Sequence, residues 1–253
     1  MKPADEGSVI RFQATTLIQD VGIRLQVPQM TIATAQTIFH RFFAKEPLAD
    51  HDPMDIAQTC LFVAGKSQET PRRLRDVINT VYRYRNPDLP PLEVADPFWQ
   101  MKEHLIESER LVLRVIAFDV DVVPPHAYAV HFLRDLRASN DLANCTLSIL
   151  NDSCRIPLCL HYEPHVIACG AMYLATELLS VRPGDGDDEW FPNYGAHRAE
   201  VEDICHQLLG MYESVRMPAN PADADSAQPT GRDNEPFSTP DLNNDIWERR
   251  MSR

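Results

Sequence analysis

No stretch of this 253-residue sequence is apolar for long enough to cross a bilayer. The longest apolar run, Val166 to Ala175, lies between His165 and Glu177 and suits a buried helix. No basic segment leads into an apolar one near Met1, which argues against a secretory signal. There is no Gly-rich phosphate loop, no lysine-bearing strand pattern or catalytic-loop aspartate of a kinase, and no G-x-S-x-G elbow. Two imidazoles and a carboxylate fall together in His161-Tyr162-Glu163-Pro164-His165. They lack a fourth ligand, and Pro164 opens a helix, so the spacing is read as accidental and no metal is expected. His40, before Arg41-Phe42-Phe43, is read as a helix-packing residue. No constellation supports catalysis, and neither catalytic residues nor a cofactor are expected.

Short paired cysteine spacings are absent too. Cys60, Cys145, Cys154, Cys159, Cys169 and Cys205 sit mostly inside apolar segments, the usage of a reduced intracellular protein, nuclear or cytoplasmic. Positive charge is scarce: the formal net charge is −13, and phosphate backbones are held largely by Lys and Arg, so nucleic acid is not an expected partner. One basic cluster stands out, Arg72, Arg73 and Arg75 with Arg83 and Arg85. It is either the solvated side of an amphipathic helix or a docking patch for acidic or phosphorylated groups.

Period-2 alternation is scarce, whereas the helical period recurs throughout. The pattern predicts an all-α chain with helices near 9–26, 29–45, 53–66, 70–84, 97–117, 125–137, 140–153, 164–180 and 194–215. Asp52-Pro53 and Asp96-Pro97 each place a capping acid before a proline whose missing N–H costs nothing at a helix start. Asn86-Pro87-Asp88-Leu89-Pro90-Pro91 marks a loop between the fourth and fifth helices. Ile56, Ala57, Phe62, Val63 and Ala64 are echoed by Ile167, Ala168, Tyr173, Leu174 and Ala175 at an offset of 111, from 56 to 167. The echo predicts two similar bundles of about five helices, each built round one such helix. Residues 1–8 are read as an extension, 9–122 as the first bundle, 123–217 as the second, and 218–253 as a disordered acidic tail with too few large apolar residues to offset ordering. Ser238-Thr239-Pro240 in that tail makes Thr239 a candidate phosphorylation site.

One acid is out of place. With Leu105 at zero on a helical wheel, Ile106, Val112, Leu113 and Ile116 form one apolar stripe, and Glu109 falls at about 40°, inside it. A carboxylate there needs a partner or must shift its pKa. Either burial ends at that point, an internal Lys or Arg neutralises the acid, or the site is an interface. Lys66 ends a segment that is apolar on nearly every face, where the helix dipole alone would favour a cation.

Leu61 to Asp76, followed by Ser108 to Val120, strongly resembles a cyclin box. The resemblance covers roughly residues 8 to 217 and implies a tandem cyclin-box fold, binding box first and degenerate box second. Position 66 is lysine but its echo is Glu177, so only the first box carries the cation. In that family a lysine closing the third helix and a glutamate inside the fifth grip the regulatory helix of a protein kinase, and Lys66 and Glu109 occupy those positions. Leu113, Phe118 and Val120 would pack beside them. The resemblance implies a subunit that binds and activates a cyclin-dependent kinase by holding its regulatory helix inward. Gln68 and Ser67 depart from the acid and aromatic often found after the lysine, and 9–26 lacks the Met-Arg-Ala-Ile-Leu docking sequence of cell-cycle cyclins. Asn86-Pro87, Pro91-Leu92-Glu93, Phe98-Trp99, Pro125-His126, Tyr128 and His131 look most like the cyclin Q (cyclin M) branch, which implies a partner of the cyclin-dependent kinase 10 type. Pro71 to Asn79 looks more like cyclin L, partner of the cyclin-dependent kinase 11 type, although the tail has no Arg-Ser repeat. A cyclin-fold scaffold for some other protein is the remaining alternative.

Overall fold

The computed structural model describes residues 6–90, 92–93, 95–183 and 189–216; Thr239 and the tail from 218 onward lie outside the described residues. Among the described residues there are nine α-helices and no strand: α1 (Glu6–Arg24), α2 (Gln29–Phe43), α3 (Pro53–Ser67), α4 (Leu74–Arg85), α5 (Asp96–Val115), α6 (Pro125–Asp135), α7 (Asn140–Ser153), α8 (Pro164–Leu179) and α9 (Arg198–Arg216). Short 3-10 turns at Leu48–Asp50, Pro157–Leu160 and Phe191–Tyr194 join them.

Each of two cores forms round one of the echoed helices. In the first, Ile56, Ala57, Val63 and Ala64 of α3 are buried with Leu17 and Ile18 of α1, Ile38, Phe39 and Phe42 of α2, and Val112 of α5. A satellite cluster of Phe62, Val77, Ile78, Phe98 and Leu105 ties α4 and α5 to the same helix. In the second, Ile167, Ala168, Leu174 and Ala175 of α8 are buried with residues of α6, α7 and α9. The second bundle therefore has four α-helices plus the turns at Pro157–Leu160 and Phe191–Tyr194. α8 and α9 approach closely at Gly170, where a Cβ would fall 2.6 Å from Ile204 Cγ2.

Asp52 caps α3 as expected, accepting the Met54 amide at 2.9 Å with Pro53 at the first helical position. Asp96 does not cap α5: Ala95 is the capping residue, and its carbonyl accepts the amides of Phe98 and Trp99. Asp96 instead lies in the first turn, where the helix dipole favours an acid. α4 starts at Leu74 rather than near 70, because α3 ends in a left-handed residue, Glu69, and the Thr70 amide turns back to the Gly65 carbonyl at 2.9 Å. α9 starts at Arg198 rather than near 194, since the turn ending at Tyr194 closes on Gly195 with φ at 78°.

Candidate functional site

α3 and α5 pack together in the first bundle, and this brings Lys66 and Glu109 to one place. Lys66 Nζ donates to Glu109 Oε1 at 2.6 Å and Oε2 at 2.9 Å, across 43 positions of sequence. The out-of-place acid therefore has an internal cation, and that cation is Lys66. Burial on α5 centres on Leu105, Ser108 and Val112, so Glu109 lies at the edge of the buried stripe with 17% of its side chain exposed; Lys66 keeps 47%. The ammonium also sits over the Phe62 ring, 4.1 Å from its centroid, an arrangement that favours a cation. Each member of the pair retains solvent-facing valence: an ammonium has three N–H donors, and a carboxylate accepts more than two hydrogen bonds.

α5 ends one turn further on in a Schellman motif. The Phe118 amide donates to the Leu113 carbonyl at 2.8 Å and the Ala117 amide to the Arg114 carbonyl at 3.0 Å. Ala117 and Phe118 have φ of 55° and 58°, a left-handed conformation that side chains with a Cβ adopt at a cost. Phe118 is thereby turned outward and is 70% exposed, the largest value among the exposed large hydrophobic residues described. Leu113 and Val120 are half-buried against the first core.

Arg41 of α2 and Lys45, just beyond its end, hold this turn, and nothing in the linear sequence marked them. Lys45 Nζ donates to the Val115 carbonyl at 3.0 Å, at the negative end of α5. Arg41 donates to the Asp119 carbonyl at 3.2 Å and pairs with its carboxylate at 3.1 Å. Their partners lie 70 and 78 positions away, so only the tertiary fold reveals the connection. Of the five expected residues, Lys66 and Glu109 are thus paired, Leu113 and Val120 are half-buried against the first core, and Phe118 is exposed beyond the end of α5.

The basic cluster divides. Arg72 donates to the carbonyls of Leu25 and Gln26 at 2.8 and 2.5 Å, and Arg85 pairs with Asp52 and Asp55 at 3.1 and 2.7 Å. Arg73, Arg75 and Arg83 remain exposed. His161 and His165 line a depression with Glu163, His197 and Glu200. No group of three or more His, Cys, Asp or Glu among the described residues is placed to hold a metal. All six cysteines are free thiols, and no described helix is long and apolar enough to cross a membrane.

The model of the cyclin N-terminal domain matches residues 3–121. Cyclin-T1-5 of Arabidopsis thaliana is 38% identical over 217 residues, which is 83% of this chain and 38% of that relative. Cyclin-L2 of Homo sapiens is 34% identical over 214 residues, 82% of this chain and 41% of the relative. The chain therefore spans about two fifths of the length of these curated relatives. Among solved structures, a chain of the yeast RNA Pol II CTD kinase CTDK-1 complex superposes with a TM-score of 0.72 at 19% identity, over 87% of this chain and 73% of that one, a likeness of fold. With residues 3–121 matched as a cyclin N-terminal domain and the two-bundle fold continuing to α9, the chain belongs to the cyclin family, beside the T and L cyclins.

Proposed function

We propose that this chain is the regulatory, non-catalytic subunit of a cyclin-dependent protein kinase, and that Lys66, Glu109, Leu113, Phe118 and Val120 hold the kinase's regulatory helix. The observation that carries the reading is at the C-terminal part of α5: an ion pair with 47% of Lys66 and 17% of Glu109 exposed, supplying donors and acceptors, and past the helix end a Phe that is 70% exposed. A helix laid there finds N–H donors for its carbonyls, carboxylate oxygens for its amides, and an aromatic anchor of the kind enriched at interface hot spots. Holding that helix inward keeps the kinase's lysine–glutamate pair assembled, and so converts binding into activity. The structural likeness to a chain of a yeast kinase complex supports the same reading.

For the partner, the loop and second-box residues named above favour the cyclin Q branch and a kinase of the cyclin-dependent kinase 10 type. The similarity to T and L cyclins favours a second reading, in which the chain serves a kinase acting in transcription or splicing, the cyclin-dependent kinase 11 type among them. Affinity purification of the intact chain from its native cells, followed by identification of the kinase, separates the two. Recovery of the 10-type kinase supports the first, and consistent recovery of another type overturns it.

Charge reversal tests the role of the ion pair. Lys66→Glu and Glu109→Lys should each reduce kinase capture at least about tenfold, since disrupting a desolvated charge pair costs about 2–5 kcal/mol. Each should also lower stability by about 1 kcal/mol through loss of the internal pair. The double reversal restores the pair, and with it the stability, but not capture, because donors and acceptors have exchanged places. Capture by the double variant at the wild-type level would remove these two residues from the interface.

A further inference from the structure

The arginines of residues 72–85 divide by task. Arg72 fixes the end of α1 by donating to the Leu25 and Gln26 carbonyls, and Arg85 is held between Asp52 and Asp55. Arg73, Arg75 and Arg83 are exposed and have no ion pair among the described residues. α4 buries Val77, Ile78 and Val81 and leaves Arg75 and Arg83 exposed eight residues apart, with half-buried Asn79 between them and Arg73 at the capping position in front. Asp76, also exposed, is the one acid of α4, so the face carries a net positive charge on a chain whose formal net charge is −13.

From these observations we infer that the outward face of α4 is a docking site for a phosphorylated segment of the partner kinase's own substrate. The inference rests on the kinase reading above, because a kinase leaves phosphoserine and phosphothreonine on the proteins it serves. Guanidinium groups match phosphate by paired N–H bonds, and phosphate carries close to two charges near neutral pH. Arg75 and Arg83 are eight residues apart, about 12 Å along the helix at 1.5 Å per residue. An extended peptide covers that distance in about four residues. The face therefore suits two phosphorylated side chains about four residues apart. Nucleic acid fits less well: three arginines beside Asp76 neutralise few phosphates, and the rest of the molecule repels a polyanion. The substrate docks by its phosphates while the kinase acts on a neighbouring residue, which favours repeated phosphorylation of one chain.

The test uses the isolated full chain and fluorescence anisotropy with a labelled peptide bearing two phosphoserines four residues apart, so it does not depend on capture of the kinase. The phosphopeptide should bind and its dephosphorylated form should not. Binding should weaken with added salt, and by about tenfold in Arg75→Glu/Arg83→Glu. The melting temperature of that variant should match wild type, since both side chains are free in solvent. Equal binding of the dephosphorylated peptide, or undiminished binding to the double variant, would overturn the proposal. So would preferential binding of a single-stranded oligonucleotide of the same charge, which would assign the face to nucleic acid. Absence of the kinase in purification, with phosphopeptide binding intact, would count against the activating role alone.

Discussion

His40 is fully buried on α2, with Nε2 3.0 Å from the Cys154 carbonyl at the end of α7. A carbonyl accepts, so Nε2 carries the proton and Nδ1 is left as a buried lone pair without a partner. Burial lowers the pKa from 6.5 to about 4, with the positive charge of Arg11 acting in the same direction. A group whose folded pKa is depressed in this sense is neutral in the native state and takes up a proton on unfolding. Its contribution is complete above about pH 6.5 and is lost as pH falls toward 4, a change of about 3 kcal/mol. Burial lowers the pKa of His126 as well, which adds to the effect. Urea unfolding from pH 7 to pH 4.5 should show stability falling with pH, and His40→Gln should flatten that slope while retaining a donor for Cys154. Equal slopes in the two proteins would show that His40 does not carry the effect. At this scale the sequence marked residue type and placement better than partners. His40 was recognisable as a packing residue and Glu109 as an anomaly. That His40 reaches 114 positions along the chain, and Glu109 reaches Lys66, depended on the packing of whole helices.

The start of α3 was legible because a side chain does the work, Asp52 accepting an amide of the first turn. Helix ends were less so. α1, α3, α5, α6 and α8 all close with the same pair of backward bonds, through Gln26, Glu69, Ala117, Arg137 and Ser180, and each of these residues has positive φ. Such an end is normally announced by glycine, and none of the five is glycine. That is why the expected ends ran past the observed ones at 24, 67, 115, 135 and 179 in four of the five cases. The left-handed conformation costs a residue with a Cβ about 1–2 kcal/mol, while glycine loses about 0.5–1 kcal/mol in chain entropy. Gln26 is exposed and uncharged, and Arg72 binds only its carbonyl, so the side chain can be removed without losing that contact. Gln26→Gly should therefore raise stability by about 0.5–1 kcal/mol in thermal or urea unfolding. A clear loss would mean that the side chain contributes packing that outweighs the relief of backbone strain.

The two-bundle plan was readable from the echo between α3 and α8, but the seam that joins the bundles was not, because its contacts pair residues with no sequence relation. Thr15 Oγ1 on α1 lies 3.1 Å from the Arg155 carbonyl, 140 positions away, and His40 bonds the adjacent Cys154 carbonyl. The Arg155 guanidinium lies 5.6 Å from the centroid of the Phe12 ring, and Phe12 of α1 packs against the second core. The Cys154 carbonyl is thus satisfied from the first bundle, while the one Thr15 hydroxyl proton is shared among the Arg155 carbonyl and the Arg11 and Phe12 carbonyls, each of the latter at 3.0 Å. Separation of the bundles would leave the Cys154 carbonyl unpaired until water entered, at about 1–3 kcal/mol. This coupling predicts that both cores unfold together. Trp190, buried in the second core, reports on that bundle in a Trp99→Phe/Trp247→Phe background, and far-UV circular dichroism reports on all helices. Their denaturation curves should coincide. Adding Thr15→Val and His40→Leu keeps the seam filled but removes both donors, so it should lower overall stability by about 1–3 kcal/mol and pull the two curves apart. If the curves already diverge with the seam intact, the bundles are independent folding units, and the bonds to residues 154 and 155 merely accompany their contact.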